Sequence, residues 1–394
     1  MQSFTFKCPT EVIFGRDAEL QVAEKIRKYG GHHVYIVYGG GSIVKSGLLA
    51  RVERCLTSGG LAFEVLGGVQ PNPLLSFARE GVREATAFHA DFILAVGGGS
   101  VIDTAKAIAH GVANPGTDIW DFWAGKAALA KTTPMGAIVT IAAAGSETSD
   151  SSVLTNEGTG KKMGLSNELN RPVLAFMNPE LTFTLPKYQI ACGIADILMH
   201  TLERYFTPSE GRNSLTDLIA ESLLKNVIDN GRIAIASRKD YDAMSELLWS
   251  GSISHNGLTG LGREKDFSVH KLGHELSGKF DVAHGASLTT LWPSWARYVY
   301  GKSAARFARY AERIWGVDSG TEEERARAGI RKTEEFFREL DLPTNFTELG
   351  IGVQNSENLE YLADMCTNHS AKAIGTFCPL GRDAVLEIYR MANR

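Results

Sequence analysis

Phe92-Ile93-Leu94-Ala95-Val96-Gly97-Gly98-Gly99-Ser100-Val101-Ile102-Asp103-Thr104-Ala105-Lys106 is the stretch on which the fold turns. Its opening apolar run suits a strand buried on both faces, as in a parallel sheet. The glycines stop that strand, and a helical pattern begins at Val101. An earlier stretch, VYIVYGGGSIVKSG over residues 34–47, repeats the order strand, Gly-Gly-Gly-Ser, helix. Further β-like runs at 63–66 and 137–141 alternate with helical patterns such as 19–29 and 75–87. Alternation of this kind predicts a parallel sheet wrapped by helices, a Rossmann-like α/β domain over residues 1–186. Beyond Pro186 the texture changes. Long amphipathic patterns at 188–206, 214–230, 241–256, 303–315 and 322–339 predict an all-helical domain over residues 187–394.

Two domains suit a chain of 394 residues, 44% of them hydrophobic and 22% charged. A net charge of −4 gives no basic stripe for nucleic acid. The 5 cysteines (Cys8, Cys55, Cys192, Cys366, Cys378) are odd in number and widely spaced, with no C-x-x-C. They form neither a disulfide framework nor a cysteine-based zinc site, so a reducing, cytoplasmic setting is expected. The opening Met1-Gln2-Ser3-Phe4-Thr5-Phe6-Lys7 has no long apolar run, so no secretory signal is expected. No apolar stretch approaches the roughly 20 residues that span a bilayer.

Glycines after a strand let the backbone approach an anion, and the next helix offers its unpaired amides and positive dipole end. Gly97, Gly98, Gly99 and Ser100 are therefore candidates for a pyrophosphate, the alternative being a tight turn with nothing bound. At Gly40, Gly41 and Ser42 no acid is placed to grip a ribose, which is how dinucleotide folds select the unphosphorylated cofactor. Ser42 and the nearby Lys45 suit a 2′-phosphate, so NADP(H) is expected over NAD(H). The competing reading is that Ser42 only caps the next helix. Gly145-Ser146-Glu147 after the 137–141 run offers small residues for a groove wall.

The 10 histidines are unevenly spread. His270, His274 and His284 crowd into SVHKLGHELSGKFDVAHG, and Asp196 and His200 lie upstream in GIADILMH. Asp196 and His200 share one helix face at i, i+4, as do His270 and His274, and His284 is placed to open another helix. One carboxylate and three imidazoles suit Fe2+ or Zn2+, if the two distant segments converge.

Taken in order, EVIFG (11–15), YGGGS, Pro71-Asn72-Pro73, AVGGGSVIDTAK, GSE and the metal segments make the whole chain resemble the iron-containing (group III) alcohol dehydrogenases. It is most similar to their NADP-dependent butanol-dehydrogenase and broad-range aldehyde-reductase subgroup. The resemblance implies that Asp196, His200, His270 and His284 ligate the metal, with His274 beside it as a proton relay. It implies that Gly97, Gly98, Gly99 and Ser100 hold the pyrophosphate, and that Gly40, Gly41 and Ser42 lie at the adenosine end. Asn72, Asp103, Thr140, Ser146, Glu147 and Lys162 match positions on the cofactor cleft. Asp103 joins His274 as a candidate catalytic residue, the alternative being a local cap. Ala144 stands where the family often has threonine, and residues 373–383 lack an Asn-Pro-Arg ending, as in the butanol type. A homodimer is also implied, paired through N-terminal strands.

The implied reaction moves a hydride between NADP(H) and a primary alcohol or aldehyde, in a cleft between the domains. Rival readings are a glycerol-dehydrogenase-like or dehydroquinate-synthase-like relative and an inactive cofactor-binding protein. The first two are disfavoured by the Asp-plus-three-His set, the last by intact glycine loops. Trp120, Phe122 and Trp123 are read either as a substrate-pocket wall or as plain packing.

Overall fold

The structure, a computed structural model, describes residues 1–208 and 212–394. It divides into two compact units: Lys7–Thr184, and Leu185–Arg394 together with Met1–Phe6. The sequence pattern groups residues 1–186 together. The first six residues belong instead with the helical unit, where the Gln2 amide donates to the Gly262 carbonyl at 2.9 Å.

The first unit carries eight strands among the described residues: β1 (Glu11–Phe14), β2 (His33–Tyr38), β3 (Ala62–Gly67), β4 (Phe92–Gly97), β5 (Met135–Val139), β6 (Ser151–Asn156), β7 (Lys161–Ser166) and β8 (Leu174–Met177). Six form one sheet in the order β1-β8-β5-β4-β2-β3, every pairing parallel, and β6 and β7 form a separate antiparallel ribbon. β4 is buried along its whole length, as its apolar run requires, whereas the edge strand β3 is mostly exposed. From β2 the chain steps one way to β3 and the other way to β4. The order of the sheet therefore reverses between β2 and β4, and the carboxyl ends of strands at such a reversal are where open α/β sheets bind ligands. Register pairs Tyr38 with Val96 and Gly97 with Val139, so both glycine loops leave the sheet side by side.

Differences from expectation are local. β5, at Met135–Val139, lies two residues earlier than the 137–141 reading. β1 and β8 are four-residue strands that carry too little periodicity to stand out. The ribbon β6–β7 is polar and half-exposed, which hides it in a hydrophobicity reading.

The second unit is helical. The helices Lys187–Tyr205, Ser214–Ala236, Tyr241–His255, Ala304–Trp315 and Glu322–Glu339 follow the five predicted patterns, the second running on past residue 230. The last opens on a capping box, with Thr321 and Glu324 satisfying each other's backbone amides. Ser268–Phe280 and His284–Val299 complete the part that matters for the site. Helix His284–Val299 approaches Lys187–Tyr205 so closely at Gly285 that a Cβ there would lie 2.2 Å from the Cys192 carbonyl oxygen.

Two outcomes are expected. Gly285→Ala forces the two helices apart and costs about 1–3 kcal/mol of stability, as overpacking does. An unchanged urea midpoint would refute that close contact. His110 is buried between Thr132 and Asn170, each 2.8 Å from a ring nitrogen, and burial lowers its pKa from 6.5 to about 4. Folded His110 thus stays neutral while the unfolded chain takes up a proton. Its contribution to stability is full above pH 6.5 and is lost as pH falls towards 4. Urea titrations across that window should show the loss, and His110→Gln should flatten it.

Candidate functional site

The cofactor-type residues of the first unit gather at the carboxyl ends of β2, β3, β4 and β5. Gly98 precedes the helix Gly99–Ala113, which leaves the sheet directly after β4. A Cβ on Gly98 would lie 2.4 Å from Ile141 Cγ2, whereas Gly99 and Gly40 face open space. The Thr140 amide donates to the Gly97 carbonyl at 3.1 Å and so extends the β5 edge beside the loop. Ser42 is the first residue of the short helix Ser42–Lys45, and Gly41 occupies the cap position, so Ser42 is not the N-cap residue. Gly40, Gly41 and Ser42 are exposed. Asn72 has a left-handed φ of 59°, and its Oδ1 accepts from Lys162 Nζ at 2.9 Å, joining the turn after β3 to the β6–β7 ribbon.

Asp103 and Ser146 belong to a tighter internal network, centred on a lysine that sequence reasoning passed over. Lys106 is fully buried and donates through Nζ to the carbonyls of Ser146 (2.9 Å) and Ser151 (2.7 Å) and to Ser146 Oγ (2.8 Å). Ser146 Oγ in turn donates to Asp103 Oδ1 at 2.7 Å, and Asp103 Oδ2 accepts from the Val153 amide at 2.9 Å. A hydroxyl has one proton to give, and that of Ser146 goes to Asp103. Burial raises the Asp103 carboxyl and lowers the Lys106 ammonium, each opposed by the other's charge. The helix Gly99–Ala113 thus holds residues 146–153 in place. The aromatics at 120–123 resolve into packing: Phe122 and Trp123 are buried against Leu75 and Leu154, and the Trp123 indole donates to the Ser152 carbonyl.

The second unit brings the metal-type residues together. Asp196 and His200 lie one turn apart on Lys187–Tyr205, His270 is in the first turn of Ser268–Phe280, and His284 opens His284–Val299. Asp196 Oδ1 lies 3.4 Å from His200 Nε2, 3.6 Å from His270 Nε2 and 3.7 Å from His284 Nε2. Ligand atoms of Asp196, His270 and His284 all lie within 4.8 Å of one another. His200 stands outside that mutual group and joins through Asp196. Among the described residues Asp196 Oδ1 and His270 Nε2 are buried without a hydrogen-bond partner. A carboxylate oxygen and imidazole nitrogens arranged so fit a divalent cation. His274 is half-buried beside them, its ring 6.2 Å from that of His270 and 5.4 Å from that of His284.

Several shell residues were not expected. Glu203, on the same helix as Asp196, accepts from His270 Nδ1 and from the Val269 amide at 2.6 Å. Burial alone would lower His270, but Glu203 and Asp196 outweigh it and raise the imidazole to about 9. Burial, then His255 and His270, hold His200 well below the ordinary value, so its ring stays neutral. His255 stacks on His200 at 3.9 Å, and Arg204 donates to the His200 carbonyl at 2.6 Å. The i, i+7 spacing of Asp196 and Glu203 on one helix face was the available signal.

Residues 9–179 match the family described as iron-containing alcohol dehydrogenase, and residues 190–393 match its C-terminal counterpart. NADH-dependent butanol dehydrogenase A of Clostridium acetobutylicum is 38% identical over 99% of both chains. NADPH-dependent aldehyde reductase YqhD of Escherichia coli is 32% identical over 100% of both. The crystal structure of NADH-dependent butanol dehydrogenase A from Thermotoga maritima superposes with a TM-score of 0.95 at 34% identity, covering 100% of this chain and 99% of that one.

Lys106→Met is expected to strand buried acceptors and the Asp103 charge, costing about 3–5 kcal/mol in chemical denaturation. A loss below about 1 kcal/mol, the scale of an exposed ion pair, would contradict the network.

Proposed function

Because the chain belongs to the iron-containing alcohol dehydrogenases and is an NAD(P)-dependent oxidoreductase of alcohols and aldehydes, we propose that it interconverts a primary alcohol of the butanol type with its aldehyde, using NADP(H) in preference to NAD(H). Asp196, His200, His270 and His284 are the proposed ligands of Fe2+ or Zn2+. The observation that carries this is the convergence of three imidazole nitrogens on the unpartnered, buried Asp196 Oδ1.

A divalent ion held there supplies Lewis acidity to the substrate oxygen without changing oxidation state. NADP(H) supplies or accepts the hydride at the nicotinamide. The rest falls to side chains and backbone. The amides at the start of Gly99–Ala113, with Gly97 and Gly98 free of Cβ, bind the pyrophosphate. Asn72 fixes Lys162 for the ribose, and Thr140 borders the nicotinamide. His274 takes the alcohol proton in oxidation and returns it in reduction, its half-buried ring keeping contact with water. Asp103 and Ser146 act by holding the cleft wall, because both groups are already engaged within the protein.

The NADP(H) preference rests on the absence of any acid from residue 39 to Lys45 and on the exposed Ser42. The relatives' names divide, with the butanol dehydrogenases called NADH-dependent and the reductase NADPH-dependent, so NADH is the second reading. A homodimer is proposed too, supported by the exposed Phe4, Phe6 and Phe14 of the N-terminal segments. A cytoplasmic location is supported by five unpaired cysteines, and no helix among the described residues is long and apolar enough to cross a membrane.

Butanal-dependent oxidation of NADPH and NADH, on chelator-stripped protein reloaded with Fe2+ or Zn2+, tests the proposal. Faster turnover with NADPH, abolished by stripping, is the expected result. Turnover with NADH alone overturns the cofactor preference, and metal-independent turnover overturns the ligand set.

A further inference from the structure

The two metal-facing imidazoles His200 and His270 have opposite partners. His270 Nδ1 meets the carboxylate of Glu203, which also accepts from the Val269 and His270 amides at 2.6 and 3.2 Å. A carboxylate only accepts, so the ring proton of His270 sits on Nδ1. In the neutral ring, the form that can bind a metal, that leaves a lone pair on Nε2, the atom 3.6 Å from Asp196 Oδ1. His200 Nδ1 instead lies 3.4 Å from Arg204 Nη1, the same nitrogen that donates to the His200 carbonyl at 2.6 Å. A guanidinium has no acceptor, so Nδ1 must present its lone pair there. The proton of a neutral His200 ring then sits on Nε2, the atom 3.4 Å from Asp196 Oδ1.

Glu203 and Arg204 are neighbours on one helix, both about 1% exposed, and carry opposite charges to the two rings. An imidazole that donates its second N–H to a carboxylate is a more basic ligand. One whose second nitrogen faces a cation is a poorer one, and it must also shift its proton before Nε2 can bind. The stacking of His255 on His200 at 3.9 Å, with 24° between the planes, holds that ring in its present orientation. The mutual group of ligand atoms agrees, since it takes in His270 and leaves His200 out.

We infer that the metal centre is asymmetric by construction: His270, backed by Glu203, is its anchoring imidazole, and His200, opposed by Arg204, is its weak and exchangeable arm. The inference rests on the ligand set proposed above. A weakly donating arm leaves a bound ion more electrophilic and gives it a position that opens at low cost. Glu203 and Arg204 are thus positioning residues, acting on the ion only through the rings.

The test is Zn2+ affinity of the full chain, by competition with a chromophoric chelator. His270→Ala should weaken binding at least about tenfold more than His200→Ala. Glu203→Gln should weaken it about 10–100-fold, as loss of an outer-shell partner does. Arg204→Met should tighten it. Equal losses for the two alanine variants overturn the asymmetry and leave the metal site standing. No loss in either overturns the metal site itself. Should Arg204→Met fail to fold, the alanine pair decides. A folded Arg204→Met that weakens binding as much as Glu203→Gln also counts against the inference.

Discussion

A carboxylate oxygen buried without a hydrogen-bond donor is costly by several kcal/mol unless a positive charge meets it. Asp196 Oδ1 is such an atom, and much of the helical unit is arranged around it. Three imidazole nitrogens approach it at 3.4–3.7 Å from three different helices. That convergence needs helix axes closer than ordinary side chains permit. Gly285 supplies the gap, directly after His284 and against the backbone of Cys192. Behind the proposed ligands, Glu203, Arg204 and His255 fix the rings by charge and stacking. The centre is a property of the packing as much as of its four side chains.

The proposed role of the α/β unit is the converse, an anion met by backbone. Parallel pairing delivers two Gly-Gly-Gly-Ser loops to the point where the strand order reverses. Open space around Gly40 and Gly99 is what a phosphate-bearing molecule requires of the main chain. Behind the loops, the buried Lys106 and Asp103 tie residues 146–153 to the helix that carries the second loop. In both units the exposed chemistry is simple, and the charged groups that keep it in place are hidden.

That division explains what was legible. Glycines that a close approach demands, and histidines one helical turn apart, leave a pattern in the chain. The sheet and the helical half follow from such patterns, whereas the meeting of Asp196 and His200 with His270 and His284 does not, because the two segments lie some 70 residues apart in the chain. Lys106, Arg204 and His255 leave none, and Glu203 leaves only its i, i+7 spacing from Asp196. A lysine or glutamate in a helix normally means a solvated face, and only tertiary contacts reveal that these are buried. The short strands β1 and β8 escaped for want of length, and β6 and β7 because their polarity is that of a loop.

The first six residues pair with a part of the chain 260 residues further on, through Gln2 and Gly262. During synthesis, residues 7–184 can complete their sheet while the segment ahead of them still waits for its partner. Residues 1–6 are therefore fixed only once the chain around Gly262 has been made, later than the sheet of residues 7–184. The helical unit thus carries, through Gln2 and Gly262, a contact of high sequence separation, the kind that is slow to form.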